Sequence, residues 1–263
     1  MTTPTAPPPL LIDLEGGVLT LTLNEPSNNN RLSLAMISAL QETFAALTEN
    51  KQVCVVVLTA AGAAFCDGHD VAESASLPSA SHQRAACLAS NDLMVALADC
   101  PKITIASAQG SVCGAGLELI AGCDLALAAD CATFTTTGLN TGLWDHTAQI
   151  ALSRLTSHKF AMEMLITDKI ADAADAVRMG LVNRVIKASE LASEVNALAH
   201  SIASKSSYAL GMGKYSYAHQ APMDRVDAYN FVAEQFHRDV QSEDGRNALA
   251  TALEQRNSNK NQG

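Results

Sequence analysis

Glu118 is the residue that first raises a chemical question. It follows Gly110, Gly114, Ala115 and Gly116, and its neighbours Leu117, Leu119 and Ile120 are apolar. Small residues let a ligand come close to the main chain. The first N–H groups of a helix have no partner within it and lie at the positive end of its dipole. A helix beginning near Gly114 therefore offers a carbonyl oxygen hydrogen bonds that strengthen as the oxygen gains charge. Such donors are worth about 3–4 kcal/mol each in favourable sites. A carboxylate one turn inside that helix can move a proton beside the polarised carbonyl. The same residues also suit a helix that only packs closely, with an acid that only complements the dipole. The pattern alone leaves both readings open.

An oxyanion usually takes two donors. The stretch GAAFCDGHD, Gly62 to Asp70, follows a run that reads as a buried strand. The His69 N–H, just after Gly68, is the natural second donor, with the His69 ring facing solvent. Further on, TGLWDH brings Trp144, Asp145 and His146 together. An aspartate beside an activated carbonyl can act as a base or a nucleophile; Asp145 and His146 equally suit a surface turn. Trp144, the sole tryptophan, reads as a pocket wall or a core residue.

These residues need a frame. VLTLTL, Val18 to Leu23, alternates apolar residues with threonine and predicts a strand with one buried face. The residues before about position 9 predict a loose arm, and NEPSNNN is turn chemistry. Ser33 predicts a helix N-cap, with Met36, Ile37, Leu40, Phe44 and Leu47 at helical spacing behind it. Val53 to Ala60 predicts a strand covered on both faces. A helix over about 81–99, stopped by Pro101, leads to another buried strand in KITIASAQG. LALAAD and ATFTT predict short strands. Helices are predicted over about 147–155 and 159–166, and across ADAADAVRMG with Gly180 as its cap, before a further strand. From about 190 onward only helices follow, at roughly 190–204, 206–218, 224–239 and 243–255, and RNSNKNQG reads as a frayed tail. Strands alternating with helices, then helices alone, predict an α/β core over 1–195 and a helical C-terminal region over 196–263. A doubly wound nucleotide-binding sheet fits less well, because no G-x-G-x-x-G follows the first strand.

Composition narrows the partners. The chain has 263 residues, 48% of them apolar, enough for a sizeable core. Its formal net charge of −10, with no two Lys or Arg residues adjacent, argues against nucleic acid. No apolar run reaches membrane-spanning length. MTTPTAPPPLL has no basic residue ahead of an apolar run, so it does not read as a signal peptide, and a cytoplasmic location is expected. Seven cysteines without a C-x-x-C pair predict reduced, mostly buried thiols, and no metal site is expected.

Four segments, in order, resemble the crotonase (enoyl-CoA hydratase/isomerase) superfamily: NRLSLAM, AGAAFCDGHDVAE, IASAQGSVCGAGLELIAGCDLALAA, and ALSRLTSHKFAMEMLITDKIADAADAVRMGLVNRV. The resemblance covers nearly the whole chain. It implies an α/β fold, a spiral of ββα turns, with a C-terminal helical trimerisation region, assembled as a homotrimer or a dimer of trimers. It implies an acyl-CoA thioester as substrate, with coenzyme A belonging to the substrate and no separate cofactor. By position, the two amides for the thioester oxygen are His69 and Ala115, the latter in a place where the family usually has glycine. Substrate contacts are carried over to Arg31, Leu32, Asp67, Gly68, Asp70, Gly114, Gly138 and Trp144. A lysine that often follows the family's G-x-D-L loop is replaced by Ala72.

The chain also departs from the family pattern. The family's hydratases hold water between two glutamates. Glu118 matches the first, but Gly138 stands where the second is expected. GHD and TGLW resemble the branch typified by enoyl-CoA hydratase domain-containing protein 3 and its bacterial relatives. Three functions follow as expectations. One is a hydratase, or an isomerase, using Glu118 as acid/base. Another is a thioesterase or dehalogenase using Asp145. The last is an acyl-CoA binder without turnover.

Overall fold

The computed structural model describes residues 7–260 other than 137, 140, 141 and 168. Strand β1 (Leu10–Glu15) and strand β2 (Val18–Leu23) form an antiparallel hairpin closed by Gly16 and Gly17, both at positive φ. Helix α1 (Leu34–Leu47) returns the chain to β3 (Val55–Ala60), parallel to β2. Ser33 caps α1 by accepting from the Met36 N–H at 3.1 Å, and Met36, Ile37, Leu40, Phe44 and Leu47 are all buried, as their spacing predicts. The strand predicted from Val53 begins two positions later, at Val55. Helices α2 (Val71–Ser76) and α3 (Ala80–Ala98) then lead to β4 (Ile103–Ala108), parallel to β3.

From here the repeat doubles its strands. β5 (Ser111–Cys113) follows β4 and is succeeded by α4 (Ala115–Gly122), β6 (Leu125–Ala129) and β7 (Thr133–Thr135). After α5 (Ala148–Leu155) and α6 (His158–Thr167) come β8 (Ala171–Asp172), α7 (Ala173–Met179) and β9 (Arg184–Ile186). The larger sheet has the order β1-β2-β3-β4-β6-β9, and the smaller has β5-β7-β8. Two strands and a helix per turn, one strand to each sheet, is the ββα spiral that the resemblance implies. Neither α2 nor β5 is long enough to show a period in the sequence. The helix predicted across ADAADAVRMG begins as β8, because Asp172 accepts from the Asp175 N–H and caps α7 there; Gly180 ends it in the left-handed conformation, as expected.

The core between these layers includes Leu21, Leu23, Met36, Leu40, Leu58, Phe65, Leu93, Leu97, Ile105, Leu117 and Phe134, all fully buried. Each such side chain contributes roughly 1.5–3 kcal/mol by leaving water. The chain divides into two compact units, 1–202 and 203–263. A boundary after residue 195 falls inside α8 (Leu191–Ala203), whose Leu191, Val195 and Ala199 are buried, so the division comes at the end of that helix instead. The second unit is α9 (Ser207–Gln220), α10 (Arg225–Gln241) and α11 (Glu243–Lys260), with α9 and α11 both packed on α10. The tail read as frayed from Arg256 is helical as far as Lys260.

The cysteines are less buried than expected. Cys66, Cys100 and Cys113 are buried, Cys54 and Cys123 half-buried, and Cys87 and Cys131 exposed, and none of the seven is in a disulfide. Among the described residues no helix is long and apolar enough to cross a membrane.

Candidate active site

After β5 the chain turns through Gly114, at φ 52° and ψ −115°, and enters α4 at Ala115. The loop from Ala61 to Asp70 runs alongside this turn. The Cys113 N–H donates to the Cys66 carbonyl at 2.9 Å, and the Phe65 N–H to the Ser111 carbonyl at 3.0 Å. This approach requires glycine: a Cβ on Gly116 would lie 2.4 Å from the Cys66 carbonyl oxygen, and one on Gly110 would lie 1.7 Å from that of Ala63. The Cβ position of Gly68 is 3.7 Å from the Ala115 nitrogen. His69, the next residue, and Ala115 therefore lie on adjacent turns. Neither the His69 N–H nor the Ala115 N–H donates to another described residue.

Helix α4, AGLELIAG, carries no polar face, and Ala115 to Ile120 are buried without a break. Glu118 is its only charged residue and is 8% exposed. Burial, and secondly the negative charge of Asp145, push its pKa up from the ordinary carboxyl value to about 7. None of the described residues donates a hydrogen bond to it. Asp145 also acts on His69, where it favours the imidazolium; burial opposes it and wins, so the His69 pKa is lowered. The expectation of a solvent-facing His69 ring is corrected. The ring is turned into the protein, with Nε2 at 2.6 Å from Ser90 Oγ on α3.

Asp145 sits in the turn that opens α5. It is half-buried; its Oδ1 accepts from the Ala148 N–H at 3.0 Å and from the Thr147 hydroxyl at 3.2 Å, which fixes the entry to α5. His146 is exposed. Gly138, the position of the missing glutamate, is buried. A Cβ there would lie 2.4 Å from the Leu143 carbonyl oxygen and 2.5 Å from the Asp145 nitrogen. The 143–145 segment thus occupies the space a side chain at 138 would need, and that segment delivers Asp145. Trp144 is half-buried, packs on the core and donates from Nε1 to Gln149 Oε1 at 2.9 Å. With Gln149, Ile150 and Arg154 it lines a cavity of about 350 Å³, whose walls do not include Glu118, His69 or Ala115.

The remaining candidates form the scaffold around His69. The Leu32 N–H donates to the Gly68 carbonyl at 2.8 Å, and its carbonyl accepts from the Asp70 N–H at 3.2 Å, so Leu32 anchors the loop with both main-chain groups. Asp67 accepts from the Ser111 hydroxyl and from Asn29 Nδ2; Asp70 accepts from Asn28 Nδ2 and caps α2 through the Glu73 N–H. Their carboxylates tie loops together. Arg31 is exposed and its charge reaches Asp70. The Gly114 N–H is taken by the Thr135 carbonyl at 3.2 Å, leaving Ala115 as the first open donor of α4. Two contributors stand outside the predicted site residues. Asn30, fully buried, donates to the Ala61 and Ala64 carbonyls and accepts from the Glu25 N–H, yet within NNN it looks like turn residue. Ser90 sits in mid-helix with no motif around it. Among the described residues no group of three His, Cys, Asp or Glu side chains is placed to hold a metal ion.

Comparison with known proteins places the chain and its fold in a family. Residues 13–262 match the family model described as enoyl-CoA hydratase/isomerase. The chain is 31% identical over 246 residues to the zebrafish (Danio rerio) mitochondrial enoyl-CoA hydratase domain-containing protein 3, covering 94% of this chain and 85% of the relative. It is 31% identical over 202 residues to 4-chlorobenzoyl coenzyme A dehalogenase-2 of an Arthrobacter species, covering 75% and 73% of the two chains. The crystal structure of an enoyl-CoA hydratase from Mycobacterium smegmatis superposes with a TM-score of 0.91 at 38% identity, covering 95% of this chain and 97% of the other. The chain belongs to the enoyl-CoA hydratase/isomerase, or crotonase, superfamily, in the branch of enoyl-CoA hydratase domain-containing protein 3.

Proposed function

We propose that the protein is an acyl-CoA enzyme that adds water across the double bond of a 2-enoyl thioester. The thioester oxygen lies between the N–H groups of His69 and Ala115, which hold the negative charge that grows on it. Glu118 handles the proton at the α-carbon. One observation carries the reading: a lone carboxyl with a pKa near 7, one helical turn from an open N–H at the start of the same helix. At neutral pH it populates both protonation states, as an acid/base group needs. Coenzyme A comes with the substrate. The assembly is a homotrimer or a pair of trimers; in favour of this, Tyr217, Tyr229 and Phe236 of the second unit are 77%, 70% and 68% exposed in the single chain.

The test is hydration of a panel of enoyl-CoA thioesters by purified protein, followed through loss of the conjugated chromophore. Turnover that falls by about 10²–10⁴-fold in Glu118→Gln is expected. No hydration above background across the panel overturns the reading.

A second reading has its own support. Asp145 shares the electrostatic environment of Glu118 and His69, and a relative at 31% identity is a 4-chlorobenzoyl-CoA dehalogenase. Here Asp145 attacks the acyl group as a nucleophile. That reading requires release of halide or free coenzyme A that disappears in Asp145→Ala; equal release by the variant removes it.

A further inference from the structure

Hydration needs a proton acceptor for water as well as a donor for the α-carbon, and Gly138 cannot be the acceptor. We propose that the His69 imidazole, seated on Ser90 and backed by Asp145, takes the proton from water in place of the absent second glutamate. This rests on the hydratase reading above and deepens it. One residue then serves twice, its N–H on the thioester oxygen and its ring on the nucleophile.

The seat is specific. Ser90 is 3% exposed on α3, where Leu93 and Leu97 are the other buried residues. A buried hydroxyl in apolar surroundings needs a partner, and the His69 ring supplies it at 2.6 Å. In the tautomer this role requires, Nε2 carries the ring hydrogen and donates it to Ser90 Oγ, and Nδ1 is the nitrogen left to accept a proton. Burial keeps the resting ring neutral, which a base requires, while the charge of Asp145 favours the imidazolium as it forms. Asp145 therefore acts through His69 and need not touch the water. The ring also sits on the residue whose amide contacts the oxygen, and the β-carbon lies only two bonds beyond the carbonyl carbon.

The step balances. A water O–H bond breaks, its proton goes to Nδ1 and its oxygen bonds to the β-carbon. The π pair of the enoyl bond moves through the α-carbon onto the thioester oxygen, between the two N–H groups. Protonated Glu118 gives its proton to the α-carbon and the thioester C=O re-forms. The imidazolium and the Glu118 carboxylate are restored to their starting forms by one proton passing through solvent after product leaves.

The experiment compares two reactions in His69→Gln and His69→Ala, both of which keep the main-chain N–H. One is hydration of crotonyl-CoA. The other is exchange of α-hydrogens of butyryl-CoA with deuterated water, which needs only the two amides and Glu118. The expected result is hydration down about 100-fold or more with exchange down less than about 10-fold. Added imidazole should restore hydration in His69→Ala but not in Glu118→Gln. Ser90→Ala should lower hydration by about 10-fold, with Ser90→Thr recovering most of it. Hydration unaffected in the His69 variants, or hydration and exchange falling in equal proportion without imidazole rescue, overturns the inference. Absence of both reactions from the unaltered enzyme overturns the hydratase reading itself.

Discussion

Burial and the charge of Asp145 act on Glu118 in the same direction, and the consequence is measurable in the folding equilibrium. The folded state holds the Glu118 proton up to about pH 7, whereas an unfolded carboxyl releases it near its ordinary value of 4.5. Between those pH values the folded state binds more protons, so this residue makes stability fall as pH rises. Glu118→Gln removes the penalty. Its Tm should match the parent near pH 4.5 and exceed it by on the order of a few degrees above pH 7, checked by calorimetry at both pH values; a difference independent of pH contradicts the assigned cause. Asp145→Asn takes away the second contribution, so the carboxyl band of Glu118 should titrate at lower pH in difference infrared spectra. Cys66 lies in the same loop, but burial pushes its thiol up to about 12, which leaves it protonated and unreactive. Alkylation of the native protein should label the exposed Cys87 and Cys131 and spare Cys66, as peptide mapping will show.

Close approach of main chain to main chain governs the elements. The turn before α4 meets the 61–70 loop only because Gly110 and Gly116 lack side chains, and Gly138 lies against the main chain of the 143–145 segment. Gly138→Ala places a methyl against the main chain of Leu143 and Asp145. It should destabilise the fold by about 1–3 kcal/mol and lower activity further by moving Asp145, read from Tm and from turnover together. Much of this was legible beforehand. Small residues ahead of an acid and a glycine before His69 mark two approaching loops, and the spacing of Met36, Ile37, Leu40, Phe44 and Leu47 marks the buried face of α1. What was illegible is nonlocal. His69 meets Ser90 across 21 positions, from a loop to the middle of a helix, and neither residue carries a pattern that names the other. Asp145 reads as a turn residue until the space at Gly138 is seen to be filled by its own segment.

The spiral and the helical unit pose different physical problems at the scale of the molecule. Residues 1–202 contain the buried core, while among described residues of 203–263 only Gln235 is buried. Aromatic side chains left in water within α9 and α10 are a large apolar area for a small helical unit. Assembly through them predicts that Phe236→Asp with Tyr229→Asp lowers the molar mass in light scattering from a multiple of three chains to one. A parent protein already monomeric at working concentration contradicts the proposed assembly. The length and apolar content of the chain announce a core of this size, but no composition announces which surface stays open, since that depends on how the last three helices turn their faces.

The central claim is that two main-chain amides polarise a thioester carbonyl beside Glu118. Isotope-edited infrared spectroscopy of a bound acyl-CoA, labelled with ¹³C at the thioester carbon, reads that polarisation directly. The account predicts a C=O stretch at lower frequency than in water, together with a Glu118 carboxyl band titrating near pH 7. A bound carbonyl at or above its frequency in water would contradict it.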